Sequence, residues 1–184
     1  KVTVARWQPA KRPWIPSELI DLVSTPAILE DGYLRLNVVP HAYPPSAKVR
    51  YLTAILMSLP SRPEGLFTAC SHHAPQSEVV AAVAQRLGIR CVIFIEKCGE
   101  KSWSRHLIVA RDTYGAEIRT ANSTYLTSAV ATAVAHGIEN PKHFMVPFGC
   151  LSAAGVASAA FAFRGVNLDQ KLDVVIPVGG ATTL

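Results

Sequence analysis

The chain alternates between short, continuous apolar runs and longer segments in which apolar residues recur every three or four positions. From Gly65 the alternation is regular. Residues 65–70 read as an apolar strand, 71–75 as a loop, and 76–87 as an alanine- and valine-rich helix with Gly88 as its C′ residue. Residues 91–95 are apolar throughout, as in a strand buried on both faces. A helix over 103–114 then stops at Gly115, and a strand over 116–120 follows. The pattern continues with a helix over 124–136 ended by Gly137, a strand over 143–147, a small-residue helix over 153–163 and a last apolar strand over 172–178. Strands alternating with helices of about 10–15 residues imply βαβ units and a parallel sheet, hence an α/β fold of three αβα layers.

Before Gly65 the pattern is less regular. Residues 1–20 hold three prolines and two tryptophans and are expected to run extended over the surface. Residues 34–39 read as a strand, and 50–59 as an amphipathic helix whose Leu52, Ile55, Leu56 and Leu59 face a core. Ser46 suits the N-cap, since its hydroxyl can accept from an early helical N–H. Lys48 then falls in the first turn, at the positive end of the helix. Burial there would favour a neutral, nucleophilic amine of the kind that condenses with carbonyls; a solvated lysine beside a cap is the plain alternative.

Composition narrows the classes. At 184 residues the chain suffices for one ordinary domain or two small ones sharing a core. Hydrophobic residues at 49% against 17% charged exclude a disordered chain. No apolar run reaches the roughly 18 residues that span a bilayer, so no membrane partner is expected. The net charge of +5 is scattered and not interleaved with aromatics, which argues against nucleic acid. Cys70, Cys91, Cys98 and Cys150 form no C-x-x-C pair, and neither Cys nor His spacing makes a zinc set. Free thiols without a leader point to a reducing interior, most simply the cytoplasm. His41, His106, His136 and His143 show no partner pattern and read as structural. Lys1, in place of an initiating methionine, points to a processed chain or a fragment.

Ligands of open parallel sheets bind beyond the carboxyl ends of strands. That rule selects the loops at 71–75, 148–151 and 179–183. The last, Gly179-Gly180-Ala181-Thr182-Thr183, has the composition of an anion cradle, with glycines that bare N–H groups and threonines that add hydroxyls. A tight turn fits it equally well. Ser71 and His72 are adjacent residues without a nucleophile elbow, so they make no hydrolase pair; a polar loop with a satisfied histidine is the plain reading.

In their order and spacing these segments resemble the fold-type-II pyridoxal-phosphate enzymes related to tryptophan synthase β. The nearest likeness is to the branch of 1-aminocyclopropane-1-carboxylate deaminase and D-cysteine desulfhydrase. There a Gly-Asn-Lys-x-Arg-x-Leu segment carries the Schiff-base lysine; Ser46-Ala47-Lys48-Val49-Arg50-Tyr51-Leu52 stands in its place. The family's Ser-Asn-His loop reads Ser71-His72-His73 here, and the run from Val79 to Ile93 matches the helix and strand that follow. The stretch from His106 to Ile118 resembles the approach to a Gly-Ala-Glu. Val146-Pro147-Phe148-Gly149-Cys150 through Gly155 resembles Pro-x-Gly-Gly-x-x-x-x-Gly, and Asp173 through Thr183 resembles the strand and phosphate loop.

The resemblance implies a small parallel domain, 64–150, inserted in a large domain represented by 1–63 and 151–184 and truncated after the loop. It implies pyridoxal 5′-phosphate as cofactor, a lyase or deaminase reaction on a small amino acid, and a homodimer. Lys48 would bind the aldehyde and shuttle the Cα proton, and Ser71 would act on the substrate. His72 would stand in for the asparagine that meets the ring oxygen O3′. Gly179, Gly180, Ala181, Thr182 and Thr183 would hold the phosphate, and His73 and Ser152 would contact substrate. Ala47, His72 and the Ala181-Thr182 pair depart from the family pattern. They leave open a non-catalytic relative that keeps the fold as a binding or assembly module. A different phosphate or nucleotide binder is a third option, without a Gly-x-Gly-x-x-G or Walker pattern to support it.

Overall fold

The structure, a computed structural model, describes residues 12–25, 28–30, 33–35, 43–44 and 46–165. Four parallel strands form the central sheet: β3 (Gly65–Ala69), β4 (Arg90–Ile95), β5 (Glu117–Thr120) and β6 (His143–Met145), in the spatial order β5-β4-β3-β6. Gly65 pairs with Arg90 on one side and with His143 on the other, and Val92 pairs with Glu117. The chain thus steps outward from β3 to β5 and then returns to the far side of β3.

Successive strand side chains point to opposite faces, and two cores result. Leu66, Cys91, Ile93 and Ile95 pack against Val79, Val80, Val83 and Leu87 of α3 (Gln76–Leu87) and Leu107 of α4 (Arg105–Asp112). Phe67, Ala69, Val92 and Phe94 pack against Ala129 and Ala133 of α5 (Leu126–Glu139). Helices before β5 therefore share one face and the helix after it takes the other, as constant crossover handedness demands. The expected α/β parallel architecture is what the chain adopts. Each fully buried valine or leucine in these layers contributes about 1.5–3 kcal/mol.

Several elements differ from the sequence pattern for local reasons. The N-terminal segment is not wholly extended: α1 (Ser17–Ser24) follows Pro16 and buries Leu19, Leu22 and Val23. Proline directly before a helix costs no hydrogen bond, so the proline-rich lead-in starts the helix. The expected strand at 34–39 is described only in part, as β2 (Tyr33–Arg35), antiparallel to β1 (Ile28–Glu30); 36–39 lie outside the described residues. The expected strand at 172–178 lies outside them too.

α2 (Ala47–Ser58) starts three residues earlier than the apolar period suggests and is buried nearly all round, not on one face. It is enclosed by α1, α3 and α6 (Ala153–Ala162). α5 runs through Gly137 instead of ending there. A Cβ at that position would lie 2.9 Å from Phe67 Cζ, so the glycine admits the ring beneath the helix. None of the helices among the described residues is long and apolar enough to cross a membrane.

Candidate functional site

β3 lies where the sheet order switches, between β4 and β6. The loops leaving the carboxyl ends of β3, β4 and β6 surround the position at which open α/β sheets bind ligands. Three segments meet around it: the turn 70–75, the start of α2, and the turn between β6 and α6.

Lys48 occupies the first turn of α2. Ser46 is the N-cap, with extended backbone, and its hydroxyl accepts from the Lys48 N–H at 3.2 Å. This fixes where the lysine leaves the helix. Its side chain is half-buried, and its charge acts on Cys150. Burial pushes the Cys150 thiol up to about 12, and the neighbouring Lys48 ammonium works against that rise.

Cys150 ends a short 3₁₀ turn, Phe148–Cys150, in which Gly149 (φ 69°) and Cys150 (φ 56°) are both left-handed. For cysteine this conformation is strained, and the surroundings must hold it. Two contacts do so. Gln76, the first residue of α3, is buried; its amide oxygen accepts from the Gly149 N–H at 2.6 Å, and its amide nitrogen donates to Pro147 O (3.1 Å) and Thr68 Oγ1 (2.7 Å). On the other side, a Cβ on Gly155 would sit 2.9 Å from Cys150 O and 3.5 Å from Tyr51 Cβ. Glycine at 155 lets α6, the turn and α2 touch.

Arg50, two residues after Lys48, is buried at 1% exposure. It donates to Val23 O (2.8 Å), Thr25 O (3.1 and 3.2 Å) and Ser158 Oγ (3.2 Å). A guanidinium on the last carbonyls of α1 complements the negative end of that helix. It also ties α1, α2 and α6 into one support for Lys48. Burial, and then the Arg164 charge, lower its pKa from the ordinary value.

The turn after β3 is organised by a residue that the sequence pattern did not single out. Glu96, one residue past β4, is 9% exposed. Its Oε1 accepts from the Ser71 hydroxyl (3.1 Å) and the His72 backbone N–H (3.4 Å), and lies 2.5 Å from His72 Nδ1. Burial pushes the Glu96 carboxyl up, but its own backbone N–H, His72 and Ser71 outweigh this and hold it below the usual range. Glu96 Oε2 and the nearby-in-chain Trp103 Nε1 are buried without a partner among the described residues. Such orphans are costly. From the other side, the Ser104 N–H (3.3 Å) and hydroxyl (2.7 Å) both donate to His72 O.

The remaining site residues are placed as follows. His73 is exposed and lies against His72, with ring centroids 3.8 Å apart. Ser152 is the N-cap of α6, its hydroxyl accepting from the Gly155 N–H at 2.9 Å. Gly179, Gly180, Ala181, Thr182 and Thr183 lie outside the described residues. Lys48 and the 71–73 turn are linked through Cys150, Gly149 and Gln76, so the structure brings them to one end of the sheet.

Histidines read as structural do have partners. His136 Nε2 lies 3.2 Å from His143 Nδ1 beneath α5, and His106 Nδ1 lies 2.6 Å from Glu78 Oε2. His41 lies outside the described residues. Among the described residues, no cluster of three His, Cys, Asp or Glu side chains could hold a metal.

The donor set suits the aldehyde end of pyridoxal phosphate: a half-buried primary amine, a serine–histidine turn and an ordered carboxylate. The residues expected at the phosphate end are outside the described part.

No family model matches the chain, and no curated protein shows significant similarity to it. Among solved structures it is similar to an ACC deaminase homologue, at 19% identity and a TM-score of 0.48, covering 63% of this chain and 35% of that one. It is also similar to a hydrogen sulfide-producing enzyme from Fusobacterium nucleatum, at 14% identity and a TM-score of 0.48, covering 75% of this chain and 47% of that one. The chain spans less than half the length of either.

Proposed function

We propose that the chain carries the lysine-bearing part of a pyridoxal-phosphate site, in a lyase or deaminase that acts on a small amino acid. One observation carries this reading: Lys48 leaves the first turn of a capped, buried helix toward a strained turn at the sheet's switch point. The order of motifs along the sequence supports it. On this reading 64–150 is the small domain, 1–63 and 151–184 belong to a larger one, and the protein works as a homodimer.

Bound there, the cofactor supplies an electron sink for negative charge at the substrate Cα. Lys48 would hold the aldehyde end of the cofactor, and its amine would serve as the base that carries the Cα proton at Nζ. Ser71 and His73 would orient the amino acid, with Ser152 at the opposite helix start, and His72 would stand at the cofactor's ring oxygen. The 179–183 loop would hold the phosphate through N–H groups and hydroxyls.

Titration of the purified protein with pyridoxal phosphate tests this. A visible absorption band is expected in the wild type and not in Lys48→Ala; no band in the wild type overturns the reading. A second reading, a relative that binds without turnover, is favoured by one specific feature. His72 Nδ1 is committed to Glu96, where the family pattern has an amide free to serve the cofactor. A band that shifts with L- or D-amino acids while no ammonia or oxo acid forms would select it.

A further inference from the structure

The polarity of the Ser71–His72 turn is set from behind by Glu96. All three donors that the turn can direct backwards converge on one carboxylate oxygen: the Ser71 O–H, the His72 N–H and His72 Nδ1. A carboxylate only accepts, so Nδ1 must carry the hydrogen in that contact. In a neutral imidazole the other nitrogen is then an acceptor. His72 Nε2 makes no hydrogen bond to the described residues. The Ser71 hydroxyl donates its hydrogen bond to Glu96, and its Oγ accepts from the His73 N–H at 3.4 Å, which leaves it one lone pair.

We propose that Glu96 is a positioning residue that fixes His72 as the Nδ1–H tautomer, so that His72 Nε2 and Ser71 Oγ are presented as acceptors to whatever occupies the site. An amide at position 72 could present a donor; this turn selects a ligand group that donates, a hydroxyl or an ammonium, and disfavours a carboxylate. The inference concerns the turn itself and holds for any occupant. An ammonium is such a donor, and naming it as the amino group of a small amino acid rests on the reading above. Glu96 reaches its partners only because β3 and β4 pair in register, Ala69 beside Phe94, which sets the two strand ends side by side.

The test is the tautomer, read from imidazole nitrogen shifts of ¹⁵N-histidine-labelled protein without ligand, at about pH 8, above the ordinary imidazole range. His72→Gln assigns the signal. The wild type should show a protonated Nδ1 and a bare Nε2. Glu96→Gln should keep this tautomer, since its amide oxygen still accepts, and Glu96→Leu should move the proton to Nε2. A bare Nδ1 or a doubly protonated ring in the wild type overturns the proposal, as does a Glu96→Leu ring unchanged from wild type. Should Glu96→Leu fail to fold, the wild-type spectrum decides alone. The tautomer is read without ligand, so the absence of a visible band on titration with pyridoxal phosphate would overturn the cofactor reading while leaving this result standing.

Discussion

Gly149 donates its backbone N–H to the amide oxygen of Gln76 across 2.6 Å, joining the turn after β6 to the first residue of α3. The bond holds a left-handed Gly149-Cys150 pair in place beside Lys48. Gln76→Met keeps the volume but strands the Gly149 N–H, while Pro147 O keeps its bond from the Cys150 N–H. Leaving one buried donor unpaired costs about 1–3 kcal/mol, which denaturant unfolding would register. Because the turn also buries Cys150, the variant should expose that thiol to alkylation in the native state, where the wild type protects it. Equal protection in both proteins would show that Gln76 does not organise the turn.

Gly137 marks the close approach of α5 to the sheet. Alanine is the better helix former by about 1 kcal/mol, yet its Cβ would stand 2.9 Å from Phe67 Cζ. Overpacking of this kind costs about 1–3 kcal/mol, so Gly137→Ala should lower stability or at best leave it unchanged. Thermal unfolding of Gly137→Ala, Phe67→Leu and the double variant decides the cause. The double variant should be more stable than the sum of the singles implies, because the smaller side chain removes the clash. Strict additivity would place the cause elsewhere.

His136 makes stability depend on pH with a definite sign. Burial, then the charges of Arg119, His143 and Arg90, lower its pKa from the ordinary value, and Glu139 offsets part of this. The unfolded chain therefore binds the proton first as pH falls through about 6.5. The contribution is fully present above that pH and is lost progressively toward the lower folded value. Unfolding free energies measured from about pH 8 to 5 should fall across this window, and His136→Gln should flatten the decline. An unchanged slope in the variant would assign the decline to other groups.

The sheet and its helices were legible because their signals are local. The 76–87 helix and its Gly88 stop follow from periodicity and one left-handed residue, observed at φ 63°. The Ser46 cap and the first-turn position of Lys48 were legible for the same reason. Gly137 was misread as a stop because its role depends on Phe67, seventy residues earlier in the chain and joined to it only by packing. α1 was missed because eight residues behind a proline give too short a period to recognise. Glu96 and Gln76 escaped notice because their partners come together through strand register and the β6 turn. One signal was available for Glu96: an acidic residue directly after a wholly apolar strand, at the end of the sheet where ligands bind.

The central claim is that Lys48 is the amine that captures an aldehyde. The direct measurement is borohydride reduction of the purified protein with pyridoxal phosphate, followed by peptide mass mapping. Stoichiometric label on Lys48, suppressed when a phosphate-bearing analogue without an aldehyde is added before reduction, is the predicted result. Label scattered over exposed lysines such as Lys97, Lys101 and Lys142, with Lys48 unmodified, would contradict the account.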